Sequence, residues 1–149
     1  MGFDFNWLAL VGAAIIPSII GFLWYGPIMG KQWLASTGKT EDYFRENSNM
    51  PMNMGISLLL SFVLAFALKV LIFTSHGDHY KHLSNEIAGS FNTFGHGAMH
   101  GATFGAFFAI PFFVINGLFE LRGAKNYFIH IVYWIICCAL MGGVVDAWG

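Results

Sequence analysis

Residues 94–119 read FGHGAMHGATFGAFFAIPFFVINGLF and contain no Asp, Glu, Lys or Arg. A helix crossing the hydrocarbon core of a bilayer needs about 20 predominantly apolar residues, and this run exceeds that length. Within it Gly97, Gly101, Gly105 and Ala109 recur every four residues, and Ala98, Ala102 and Ala106 form a second small stripe beside them. Residues four apart lie on one face of a helix. Lipid tails are as apolar as side chains, so membrane helices associate by close packing, which small residues permit. The stretch is therefore expected to be a transmembrane helix with a tight helix-helix seam on its glycine face.

Three more blocks of this kind flank it. The spans are expected at about 5–28, 51–74, 94–119 and 127–147, within a single membrane domain covering residues 1–149. Composition agrees: 56% of the residues are hydrophobic, 17% aromatic and 10% charged, with a mean hydropathy of +0.62. Soluble domains carry about 25% charged residues. The fold class that follows is all-α integral membrane, a four-transmembrane-helix bundle whose third span is the central packing helix. Pro17 lies inside the first span, where the missing N–H and the crowded preceding turn predict a kink. That span closes with Trp24-Tyr25-Gly26-Pro27, two aromatics suited to the headgroup level and then a stop. After it, Trp33 and Leu34 are expected to touch lipid in a short interfacial turn. Lys69, near the end of the second span, is placed to snorkel to the interface.

The N-terminus carries Asp4 and no basic residue before the first apolar run, so it lacks the positive start of a secretory signal and is read as a retained span. Asn6 stands where a myristoylation pattern needs Ser or Thr. Adjacent Cys137 and Cys138 point in different directions on a helix and are read as packing residues rather than a disulfide framework. Net charge is −1 with no basic stripe, so nucleic acid is not an expected partner. The turn LRGAKN, 121–126, is short enough to force spans three and four into an antiparallel hairpin. Ser84 could cap a helix that starts outside the membrane and continues into span three. Five of the seven Lys and Arg (Lys31, Lys39, Arg45, Arg122 and Lys125) fall on one side and two, Lys69 and Lys81, on the other. The positive-inside rule then puts both termini outside, at the periplasmic face.

Several separated motifs resemble a bacterial membrane family known as domain of unknown function 1761. They are Trp24-Tyr25-Gly26-Pro27 followed by Gly30-Lys31-x-Trp33, His100-Gly101, Asn116-x-x-Phe119-Glu120-x-Arg122, and Leu140-Met141-Gly142. The resemblance covers nearly the whole chain; the chain departs from the pattern in its longer, His-rich second loop. It implies a small four-span protein of the bacterial inner membrane and carries no established activity or catalytic residue.

Two constellations could carry chemistry. His96 and His100, one turn apart, could chelate a divalent metal with a carboxylate completing the site. Asp146 should lie at their depth across the hairpin, and Asp4 begins span one on the same side. His76, His79 and His82 surround Asp78 in the loop beyond. Interhelical hydrogen bonds, a metal site, and proton or pH sensing are the three readings of this group. At the other end Asn116 and Glu120 share a face, with His130 expected nearby. A Glu120–His130 or Glu120–Arg122 pair could fix the hairpin, since ionisable groups near hydrocarbon usually turn inward and pair. The two groups could also be the ends of one polar path, although Phe107, Phe108, Ile110 and Phe112 offer no relay between them. There is no P-loop, dinucleotide fingerprint, HExxH or nucleophile elbow, so a non-enzyme with no cofactor beyond a metal is expected. The first functional expectation is a homo-oligomeric or accessory subunit packing through the glycine face of span three, its partners being the lipid bilayer and itself or another membrane protein. The alternative is a small ion, metal or solute translocator that uses the polar groups of spans three and four.

Overall fold

The computed structural model describes residues 6–77 and 92–149. Among these there are six helices and no strand. Helix α1, Trp7–Leu23, runs into a π-helical turn, Trp24–Ile28; short α2, Gly30–Thr37, and α3, Glu41–Asn47, follow. The long helices α4, Met50–Gly77, α5, Phe94–Phe119, and α6, Ala124–Ala147, complete the chain. Four segments are long and apolar enough to cross a membrane: Trp7–Ile28, Met50–Thr74, Phe94–Phe119 and Ala124–Ala147. They fall within three residues of the expected bounds. Asp4, Asp78, His79, His82 and Ser84 lie outside the described residues, as does the side chain of His76.

Local chemistry sets the helix ends. Asn6 accepts from the backbone N–H of Leu8 at 3.1 Å and Ala9 at 3.4 Å. Thr93 accepts from His96 N at 3.3 Å. Each such cap contributes about 1 kcal/mol. Pro17 sits inside the unbroken helix α1. The second proline of the span has the larger effect on its hydrogen bonding. Pro27 has no N–H to continue the α pattern, and Met29 N instead reaches Trp24 O at 2.7 Å, one residue further back than an α-helix would. The wider turn re-aims the chain into α2.

The hub of the bundle is α6 rather than α5, which corrects the expectation of a central third span. Half of the most apolar stretch of α6 is buried, against 17% for α5. Helices α1, α4 and α5 all pack on α6, whereas α4 and α5 barely touch each other. One core joins Leu10, Ala13, Leu68, Cys138, Met141 and Val145; a second joins Trp24, Ile129, Tyr133 and Cys137. Cys137 and Cys138 are free and buried, as packing residues should be.

Groups singled out in the sequence near the span ends find partners within the bundle. Trp24 and Tyr25 turn inward onto α6, with Trp24 Nε1 donating to Ile129 O at 3.1 Å. Trp33 meets Tyr25 edge-on and lies tilted against Phe44, with ring centroids 5.5 and 4.8 Å away. Lys69 extends to the last turn of α6. Its ammonium donates to Val145 O at 3.3 Å and Gly149 O at 2.6 Å, closing the carbonyl end of α6, where a cation is also favoured by the helix dipole.

Candidate functional site

The seam between α5 and α6 positions both polar constellations. A side chain at Gly97 would collide with Asp146 Cβ and Gly142 O, and one at Gly101 with Cys138 O. Gly142 returns the contact, because a side chain there would collide with Gly97 O. At this range the two Cα–H groups face each other's carbonyls, a weak hydrogen bond worth about 0.5–1 kcal/mol each. Gly105 meets Cys138 Cβ, and Ala109 is buried one turn further on. The glycine face is thus occupied by α6 of the same chain, which leaves no open face there for a second copy. The stripe also continues past the residues singled out in sequence, since Gly117 faces the ring of Tyr127.

At one end this close approach brings Asp146, 6% exposed, against His96. His96 Nδ1 lies 3.1 Å from Asp146 Oδ2, and His96 Nε2 lies 3.3 Å from His100 Nε2. The three groups form a chain. An imidazole that donates from Nδ1 to a carboxylate presents an acceptor at Nε2, so the second contact takes its hydrogen from His100 Nε2. His100 therefore reaches Asp146 through His96 and not directly. Among the described residues no three His, Cys, Asp or Glu side chains converge on one point to hold an ion; the residues that could share a metal are His96 and His100.

The other end is built on the hairpin turn. Leu121 has φ +54°, in the left-handed region. Leu121 N bonds to Leu118 O at 3.4 Å and Arg122 N to Gly117 O at 2.9 Å, the Schellman closure of a helix. This turn pairs Arg122 with Glu120, so of the two expected partners Glu120 takes the arginine. His130 accepts a different neighbour, Tyr25, whose hydroxyl lies 2.6 Å from its Nδ1. The ring of Phe113 stacks on His130 with centroids 5.4 Å apart. Asn126, 1% exposed, donates to Ser36 Oγ at 2.9 Å and accepts from Arg122 Nη1 at 3.4 Å.

These groups surround a cleft of about 380 Å³, lined by Asn116, Glu120, Arg122, Asn126 and His130 among others. A second, apolar groove of about 300 Å³ lies between α4 and α5 and is floored by α6, with Leu64, Phe104, Phe108 and Trp134 in its wall. Phe112 and Phe113 line both spaces. The two ends of the hairpin are remote: His130 and Asp146 are 16 residues apart on α6, roughly 24 Å by helical rise.

Sequence reasoning missed Asn126, Ser36 and the role of Tyr25. By sequence Asn126 falls in the turn LRGAKN, and a buried amide at a helix start leaves no periodic signal.

A family model described as "Protein of unknown function (DUF1761)" matches residues 8–145. The chain belongs to this family. The match bears out the resemblance carried by the Trp24-Tyr25-Gly26-Pro27 and later motifs, whose residues now have locations. Trp24 and Tyr25 bond to α6, Gly101 and Gly142 lie in the seam, and Glu120 and Arg122 form the turn. Comparison with curated proteins and with solved structures found no match.

Proposed function

We propose that this DUF1761 chain is a binding or accessory subunit of the bacterial inner membrane that holds one membrane phospholipid in the opening between α4 and α5. The observation that carries this reading is an apolar groove and a charged cleft that lie side by side and share Phe112 and Phe113 in their lining. Both volumes fall in the ordinary range of ligand sites, about 300–1,000 Å³. An acyl chain gains nothing by leaving other acyl chains for the groove, since both surroundings are apolar. Selectivity therefore comes from the headgroup. Arg122 suits a phosphate, as guanidinium does generally, and Glu120 beside it suits an ammonium. A zwitterionic phospholipid with a primary amine carries both charges and can exchange partners with that ion pair.

The loop-charge asymmetry supports a cytoplasmic location for the cleft, with both termini periplasmic. Self-association through the glycine face is not part of this reading, because α6 covers that face. A translocator would have to route its cargo outside the α5–α6 seam, where backbone meets backbone.

Trp134 in the groove wall provides the test. Purified protein in detergent is titrated with phosphatidylethanolamine carrying brominated acyl chains, which quench nearby indoles. Saturable quenching, lost in Trp134→Phe and shifted at least tenfold to higher lipid in Arg122→Ala, is expected. Quenching that rises linearly with lipid and is the same in both variants rejects the reading.

A further inference from the structure

His130 lies where the charged cleft and the apolar groove adjoin: its ring lines the cleft and stacks on Phe113, which lines both spaces. We infer that His130 Nε2 donates a hydrogen bond to an acyl ester carbonyl of the bound phospholipid, with Tyr25 as the positioning residue that keeps the proton on that nitrogen. This rests on the phospholipid reading and adds the linkage chemistry that the site selects, ester over ether.

The tautomer follows from the hydrogen-bond partners. Tyr25 Oη lies 2.6 Å from His130 Nδ1, and this is the hydroxyl's only hydrogen bond among the described residues. A neutral imidazole has one donor nitrogen and one acceptor nitrogen. Were Nδ1 the donor, the tyrosine O–H would be left without an acceptor in a half-buried place, which costs the desolvation of that group. Tyr25 therefore donates, Nδ1 accepts, and the ring proton sits on Nε2. No described residue accepts it. Every enclosed side-chain nitrogen or oxygen among the described residues has a partner, so the unpartnered Nε2 is open, and the space its ring lines is the cleft. Phe113 lies nearly parallel on the ring, at 16°, and the π turn Trp24–Ile28 carries Tyr25. Orientation and tautomer are both set by the bundle itself.

Depth selects the acceptor. Glu120 and Arg122 sit in the turn before α6, and His130 lies six residues beyond the helix start at Ala124, roughly 9 Å by helical rise. A bilayer about 40–45 Å thick has a hydrocarbon core of about 30 Å, so each polar layer is about 5–8 Å deep. With phosphate and ammonium held at the turn, His130 is level with the inner edge of that layer, where ester groups join the acyl chains to glycerol. An ester carbonyl is an acceptor that matches the N–H. An ether-linked lipid has no carbonyl at this level and leaves the donor unpaired, and a site built to hydrogen-bond its ligand discriminates against an analogue lacking the partner group.

Competition in the Trp134 quenching assay provides the test. Brominated diacyl phosphatidylethanolamine is displaced either by the unbrominated diacyl lipid or by its dialkyl ether counterpart of equal chain length. The diester should displace at about 3–10-fold lower concentration than the diether, the worth of one neutral hydrogen bond. His130→Phe keeps a ring against Phe113 and should abolish the preference, whereas His130→Gln keeps an N–H near the Nε2 position and should retain it. The tautomer is read independently from the nitrogen NMR shifts of histidine-labelled protein at mildly alkaline pH, with the His130 signals identified by their loss in His130→Gln. Nε2 should carry the proton, and Tyr25→Phe should populate both tautomers and reduce the ester preference. Equal displacement by the two lipids, with saturable quenching intact, overturns the ester assignment alone, as does a proton on Nδ1 in the native protein. Absence of saturable quenching rejects the phospholipid reading, and this inference falls with it.

Discussion

Helices α5 and α6 are alike in length and apolarity, yet they are used in opposite ways. One narrow face of α5 is glycine and meets α6, while much of the rest, including Phe107 at 80% exposed, faces outward. Helix α6 is covered on several sides, by α1, α4 and α5, and its Met141 is fully enclosed. The difference lies in side-chain size. Small residues in one stripe permit one very close neighbour, whereas mixed sizes around a helix let several neighbours fit at ordinary distance.

Substitutions that break this asymmetry should rank in order. Gly101→Leu drives a side chain into Cys138 O, a backbone atom that cannot rotate away. A loss of about 3 kcal/mol is expected, the top of the usual range for overpacking, read by equilibrium unfolding in mixed micelles. Gly12, with open space around it, should accept leucine with no measurable change. An equal response at both positions would remove the seam from the account.

Met141→Ala comes next. It should cost about 2 kcal/mol, the lower end of the range for emptying a core site, because apolar surroundings remove the water-transfer part. Phe107→Ala, although a larger truncation, should cost almost nothing in the same assay. If the phenylalanine proves the costlier, α5 has a partner on its outer face.

Asn126→Ala removes a buried amide and leaves Ser36 and Arg122 to find other partners. About 1–2 kcal/mol should be lost, and Asn126→Asp should not restore it, since a carboxylate cannot donate to Ser36. The smallest effect is a gain. Leu121 holds a left-handed conformation that costs a non-glycine residue about 1–2 kcal/mol, so Leu121→Gly should stabilise the hairpin by about 1 kcal/mol. A loss in Leu121→Gly would mean that the leucine side chain makes contacts worth more than the relieved strain.

Much of this arrangement was legible in the sequence. Apolar run lengths located the four spans, and the four-residue spacing of Gly97, Gly101, Gly105 and Ala109 located the seam. The depth match of His96 with Asp146 followed from the short turn. The central role of α6 was not legible, and the reason is physical. In water, hydrophobicity marks the inside of a protein; in a membrane, both the core and the lipid face are apolar. Met141 and Phe107 therefore look equivalent until the helices are assembled. Tyr25 and His130 were both visible, but their hydrogen bond depends on the π turn at Pro27 and on the rotation it gives the chain.

The central claim is that the glycine face of α5 is a seam within one chain. Gly101 lies against Ala139 Cα, 3.2 Å from the position a side chain would take, so their α-protons should give a strong nuclear Overhauser effect in detergent. Measured on labelled protein diluted with a tenfold excess of unlabelled protein, its intensity per labelled chain should not change. A signal that falls in proportion to dilution would place Ala139 on a neighbouring copy and contradict the account.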